Sequence, residues 1–157
     1  VLDWSLDVAR AACDGVVLVV PDEQVGAGEP LADLVVAGGR TRSGSVRAGL
    51  AVVPAEAGVV LVHDAARPLA SRALFGAVVE AIEAGADAAV PAVAVTDTLR
   101  RLDGSPVDRS ELVAVQTPQG FRAVALRAVH ASEPEATDDA SLIEAAGGCV
   151  VVVPGEV

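Results

Sequence analysis

Five short aliphatic runs, Val16–Val20, Leu34–Val36, Val59–Val62, Ala88–Pro91 and Val150–Val153, recur along the chain between stretches of helical periodicity. Runs of this length without polar alternation mark strands covered on both faces. Strands that alternate with helices predict an α/β fold: a doubly wound, mostly parallel, Rossmann-like sheet with helices on both faces. The helices read as Val1–Ala12, Ser43–Val53, Ser71–Ala84, about Arg122–Ala131, and a last one running from a Thr137-Asp138-Asp139 cap to Ala146. In the third, Ser71 supplies the N-cap oxygen, Gly85 the C-terminal glycine, and Phe75, Val78, Val79 and Ile82 the apolar stripe. Residues 22–33 hold glycine, proline and acids and read as loop or a short, poor helix. A chain of 157 residues is most simply one domain, 1–157. Only 2% of residues are aromatic, so alanine, valine and leucine must fill the core.

Residues 93–115 break the pattern. They alternate around Asp103-Gly104, a strong hairpin signal. Asp97, Thr98, Arg100, Arg101, Asp108 and Arg109 make the ribbon polar. A protruding β-hairpin arm over 95–113 follows, too polar to stand alone. It needs a partner surface, from this domain or from a second subunit.

The formal charge of −11 argues against nucleic acid as a partner. All eleven cations are arginine, so no lysine offers phosphate a mobile point charge. No apolar run is long enough to span a membrane and no leader is visible, which predicts no membrane partner. Cys13 and Cys149, without a C-x-x-C spacing, read as buried free thiols of a cytoplasmic protein.

Chemistry concentrates where Val59–Val62 gives way to His63-Asp64-Ala65-Ala66-Arg67-Pro68. In open α/β sheets the ligand crevice lies beyond such strand ends. A carboxylate there can hold a hydroxyl or a hard cation, and a guanidinium can hold phosphate. The plain alternative is an Asp64–Arg67 surface salt bridge. Gly38-Gly39-Arg40-Thr41-Arg42-Ser43-Gly44-Ser45 before a helix can face an anion or a base, or be an ordinary turn. Gln116-Thr117-Pro118-Gln119-Gly120-Phe121 reads as a polar corner. His63 reads as a structural hydrogen-bonding group, and Asp138 and Asp139 as helix-capping acids.

Taken in order, Gly38-Gly39-x-x-Arg42-x-x-Ser45-Val46, His63-Asp64-Ala65-Ala66-Arg67-Pro68, Asp97-Thr98, Gln116-Thr117-Pro118-Gln119-Gly120-Phe121 and Thr137-Asp138-Asp139-Ala140 resemble the 2-C-methyl-D-erythritol 4-phosphate cytidylyltransferase family. The resemblance runs from Val1 to Val157. It implies a fold like that of the nucleotide-diphospho-sugar transferases. It also implies that the family's glycine-rich nucleotide loop precedes Val1, that its closing lysine-bearing segment follows Val157, and that these 157 residues alone do not turn over CTP. The implied reaction joins CTP to methylerythritol 4-phosphate with Mg2+ and releases pyrophosphate. By position, Gly39, Arg42 and Ser45 would lie at the cytidine. Asp64 and Arg67 would meet the polyol phosphate, with Asp64 also a candidate metal ligand. Thr117 would contact the substrate from its own subunit. Thr98 and Arg109 would reach the neighbouring site of a homodimer joined through the arm, Arg109 positioning the attacking phosphate. A ribitol-5-phosphate cytidylyltransferase and a non-catalytic nucleotide-binding domain are the alternatives.

Overall fold

The computed structural model describes residues 1–157. Seven strands and five helices follow in the order α1 (Leu2–Ala12), β1 (Val17–Val20), β2 (Leu34–Ala37), α2 (Arg42–Leu50), β3 (Val59–Val62), α3 (Arg72–Glu83), β4 (Ala88–Ala94), β5 (Val113–Val115), β6 (Gln119–Arg122), α4 (Ala123–His130), α5 (Ala140–Ala145) and β7 (Val150–Pro154). A short 3₁₀ stretch at Asp22–Ala27 matches the poor helix expected there.

The α/β class and the helices on both faces agree with the sequence, but the sheet is not mostly parallel. Five strands form one mixed sheet. β6 lies between β3 and β4, antiparallel to both, while β7 runs parallel to β4 along its other edge. β5 is also antiparallel to β4. β1 and β2 pair in parallel as a separate two-stranded piece. The polar corner expected at residues 116–121 contains β6, and that strand makes the sheet mixed.

Period-two burial sorts the large sheet. Val60, Val62, Ala88, Val90, Phe121 and Val150 face Leu50, Leu126, Ala140 and Ile143 of α2, α4 and α5. Val59, Leu61, Ala89, Val151 and Val153 face Val78 and Ile82 of α3. Alternation of this kind is the pleat at work. Ala88 and Ala89 are wholly buried, and their small side chains let helices close on both sides of β4. Gly120 serves the same end on β6, since a Cβ there would collide with Val78 of α3. Ser71 caps α3, accepting from the Leu74 N–H at 3.1 Å.

β5 and β6 follow the same edge of β4. Ala92 faces Val115, yet Ala89 faces Gly120, so the register slips by two residues across Gln116–Pro118. N-terminal to β5 the arm leaves the sheet. It turns at Asp103-Gly104, where the Ser105 N–H donates to Asp103 Oδ1 at 2.8 Å, and a single bridge joins Arg100 to Pro106. The turn stands where the sequence puts it, but the ribbon is mostly irregular. Leu102, Leu112 and Val113 are exposed along it.

Candidate active site

The corner after β3 is pinned from three directions. The Asp64 N–H donates to Thr117 Oγ1 at 3.0 Å, and the same hydroxyl shares a 3.1 Å hydrogen bond with His63 Nδ1. The His63 ring meets Phe75 of α3 edge-on, with centroids 5.1 Å apart. Ser5 of α1 donates to the Ala65 carbonyl at 2.9 Å. Burial pushes the His63 imidazole below its ordinary pKa, so near neutral pH it is an uncharged buttress, the structural role its sequence context suggests. The candidate side chains are left free. Asp64 and Arg67 are 52% and 44% exposed, and Arg67 Nε stands 3.8 Å from Asp64 Oδ2. That is too long for a hydrogen bond and contributes little as an exposed ion pair. Backbone is fixed here while carboxylate and guanidinium remain available.

A second constellation lies at the start of α2. A Cβ on Gly39 would stand 2.6 Å from the Gly44 carbonyl carbon, so only glycine permits this close approach. Thr41 caps the helix, accepting from the Gly44 N–H at 3.0 Å. Ser45 Oγ donates to the Thr41 carbonyl at 3.0 Å. Arg42 Nη1 donates to Asp139 Oδ2 at 2.8 Å, and the other oxygen of that wholly buried carboxylate lies 2.8 Å from His130 Nε2. Asp138 is the capping acid, accepting from the Ser141 N–H at 2.8 Å. Asp139 makes no cap bond, which corrects its reading as a helix cap. Its position before α5 is the capping position, but the Arg42 guanidinium and the buried His130 imidazole claim its oxygens.

Both constellations open on a cleft of about 1310 Å³, lined by Gly38, Gly39, Arg42 and Ser45 from α2's approach and by His63, Asp64 and Ala65 from the β3 corner. β1 and β3 also line it, and within the sheets β1 pairs only with β2 and β3 only with β6. Arg67 stands beside this lining through Asp64, and Thr117 is buried behind it. Thr98 and Arg109 are not brought to this cleft. Thr98 is exposed on the arm, and Arg109 Nη1 donates to the Thr96 carbonyl of the same arm. No cluster of three or more histidine, cysteine or carboxylate side chains is present, so Asp64 lines the cleft without belonging to a clustered ligand set.

Sequence reasoning missed the pairing of Asp139 with Arg42 and His130, and the hold of Thr117 on Asp64. The available signal was composition: a second histidine and a second acid in the last third of the chain, with no visible use. Cys149 is exposed rather than buried; Cys13 is partly buried.

A family model described as IspD, 2-C-methyl-D-erythritol 4-phosphate cytidylyltransferase, matches residues 1–157. The 2-C-methyl-D-erythritol 4-phosphate cytidylyltransferase of Nocardia farcinica is 45% identical over 159 residues, a match covering 95% of this chain and 69% of that protein. The bifunctional enzyme IspD/IspF of Clavibacter michiganensis is 46% identical over 157 residues, covering 90% of this chain and 38% of that protein. The crystal structure of 2-C-methyl-D-erythritol 4-phosphate cytidylyltransferase from Thermus thermophilus superposes with a TM-score of 0.88 at 39% identity, covering 99% of this chain and 78% of that one. The chain thus spans 38% and 69% of the lengths of these two curated relatives.

Proposed function

The chain belongs to the 2-C-methyl-D-erythritol 4-phosphate cytidylyltransferase family, and on that premise we propose that it transfers the cytidylyl group of CTP to 2-C-methyl-D-erythritol 4-phosphate in non-mevalonate isoprenoid precursor synthesis. The observation that supports this is the cleft itself. One wall carries the glycine-bearing approach to α2, and the other a free carboxylate beside a free guanidinium.

In this reading a phosphate oxygen of the polyol phosphate bonds to the α-phosphorus of CTP. The bond from that phosphorus to the β-phosphate bridging oxygen breaks, and pyrophosphate leaves. The attacking phosphate is already ionised near neutral pH, so the task is positioning and charge neutralisation rather than proton removal. Gly39, Arg42 and Ser45 receive the cytidine. Arg67 meets the polyol phosphate, and Asp64 orients its hydroxyls. Thr117 acts through the backbone of Asp64, because its own hydroxyl is already engaged there.

A divalent cation, Mg2+ in this reading, suits the donor set. Magnesium in such sites takes one or two carboxylates, keeps several waters and draws its remaining ligands from substrate phosphates. Asp64 is the half-exposed carboxylate that would hold it. When bound, the ion offsets charge on the triphosphate.

The arm gives Thr98 and Arg109 to the active site of a second subunit in a homodimer. Its support is the exposed Leu102, Leu112 and Val113, which the chain's own domain leaves uncovered. We place the enzyme in the cytoplasm, where the unpaired Cys13 and Cys149 would stay reduced. No helix is long and apolar enough to cross a membrane.

Pyrophosphate release by the complete gene product, with CTP and either methylerythritol 4-phosphate or ribitol 5-phosphate, tests the proposal. Faster release with the former is expected. A preference for ribitol 5-phosphate would reassign the substrate, and CTP binding without release from either would leave a nucleotide-binding domain.

A further inference from the structure

Residues 134–139 are stitched to the first turns of α2 by a set of bonds that the proposed chemistry does not use. Arg42 Nη1 donates to Asp139 Oδ2 at 2.8 Å. Ser43, 1% exposed, donates its hydroxyl to the Ala136 carbonyl at 3.2 Å and accepts the Ala136 N–H at 3.1 Å. Arg47 reaches the Pro134 carbonyl at 2.7 Å and the Glu135 carboxylate at 2.8 Å, and that contact holds the Glu135 carboxyl below its usual pKa range. The stitched turn carries Arg42 and Ser45 on the cleft, and Gly39 packs directly against its Gly44.

Asp139 is the buried member of this set. A carboxylate with no exposure is costly unless paired and hydrogen-bonded, and this one has a charged donor on one oxygen and an imidazole on the other. His130 Nδ1 is itself buried without a partner, so the imidazole has no second anchor and Asp139 is its one polar contact. Arg42 keeps 34% of its side chain exposed and lines the cleft, so the guanidinium is tethered through Nη1 while the residue still borders the ligand space.

We propose that Asp139 is a positioning residue for nucleotide binding: through Arg42 it fixes the guanidinium and the Gly39–Ser45 turn in the geometry that receives the cytidine of CTP. This rests on the reading of Gly39, Arg42 and Ser45 as the nucleotide wall. A guanidinium held by a buried carboxylate surrenders little side-chain freedom when ligand arrives, so the cost of ordering it is met in the folded protein. Asp139 touches no substrate, and its effect belongs to binding rather than to the reacting phosphates.

The test is Asp139→Asn in the complete gene product. Asparagine can still accept from Arg42, and its amide can face His130 Nε2 after a change of imidazole tautomer, so the site stays filled while the charge is lost. The expected result is a rise of about tenfold in KM for CTP, with kcat and the KM for the polyol phosphate within about twofold of wild type. Arg42→Ala should raise the same constant, and the double variant should be no worse than the poorer single one. Amide exchange across Gly38–Ser45 reads the inference without CTP and should quicken about tenfold in Asp139→Asn, while β4 amides hold their rates. Should Asp139→Asn fail to fold, Ser43→Ala cuts the neighbouring stitch without touching a charge and should shift KM and exchange in the same direction by about threefold. Unchanged exchange and KM, equal losses in kcat, or strictly additive effects would overturn the assignment. A wild-type protein that ignores CTP would instead sink the functional reading, with the exchange data still deciding whether Asp139 holds the turn.

Discussion

The start of α2 and the arm are built from similar material: glycine, hydroxyl side chains and several arginines in a short polar stretch. Their arginines meet opposite fates. Arg42 finds its partner 97 residues away and Arg47 finds its carbonyl 87 residues away, both across packed structure. On the arm, Arg100, Arg101 and Arg109 donate to carbonyls only 4, 5 and 13 residues away. The first set joins distant parts of the domain. The second ties the arm only to itself. An arginine's role is set by whether topology delivers a distant partner, and the arm's three arginines bond only within the arm. That is the physical case for a second subunit as its substrate-side context.

The largest effect expected of any single change is at the pinned corner, where Asp64→Asn should lower turnover by about 100-fold to 1000-fold, the range seen when one electrostatic contact to a reacting group is lost. Its unfolding midpoint should stay within about 2 °C of wild type, because the side chain is half exposed. A variant that loses fold along with activity would make the corner structural.

Arg109→Ala should cost comparably in activity and nothing in stability. Arg109→Lys should also fall well short, since lysine keeps the charge and loses the fork. Mixing the Asp64→Asn and Arg109→Ala proteins sharpens the contrast between anchored and free regions. If Arg109 serves the neighbour, one site of a mixed dimer carries both lesions and the other neither. Activity should return to about one working site per mixed dimer, half that of the wild-type dimer. Exchange of subunits without recovery would put the arm back on its own site.

Smaller effects probe what holds the corner. Thr117→Val removes the acceptor for the Asp64 N–H and the partner of His63 Nδ1, and should cost about 1–3 kcal/mol by chemical denaturation. A loss below ~0.5 kcal/mol would mean that water replaces the hydroxyl without penalty.

The smallest effect is the pH response of His63. Its folded pKa lies below the unfolded value of 6.5, so the unfolded chain binds the proton more readily. Its stabilising contribution is complete above pH 6.5 and is lost as pH falls through the lowered folded value. Urea unfolding between pH 7.5 and 5 should show stability declining on the acid side, and His63→Asn should flatten that decline. An unaltered slope would show that His63 does not carry it.

Much of this architecture was legible from local pattern. β1, β3, β4 and β7 are short aliphatic runs, α3 has its cap and stripe in plain view, and the arm's turn sits on Asp103-Gly104. β6 was not legible, and its sequence explains why. Gln119, Gly120 and Arg122 surround a single Phe121, so hydropathy reads a corner. What makes it a strand is the pair of edges on β3 and β4 that only the folded sheet supplies. The Asp64–Arg67 corner and the Gly39–Ser45 turn stood out because their residues are contiguous. The Asp139 pairing did not, because its partners are scattered and helix capping already explained an acid at that position.

The two-residue slip between β5 and β6 makes the arm and the Asp64 corner parts of one lever. Val113 to Arg122 lies along a single edge of β4, which β7 backs as a stiff fulcrum. The long limb is the arm, and the short limb ends at Thr117, whose hydroxyl grips the Asp64 amide. Gln116 stands at the pivot, clamped by paired bonds of 2.6 and 2.9 Å to the Glu156 main chain. A load at the arm's tip therefore meets this clamp before it reaches the Thr117–Asp64 bond, and the corner's other ties, Ser5 to Ala65 and His63 to Phe75, resist whatever passes.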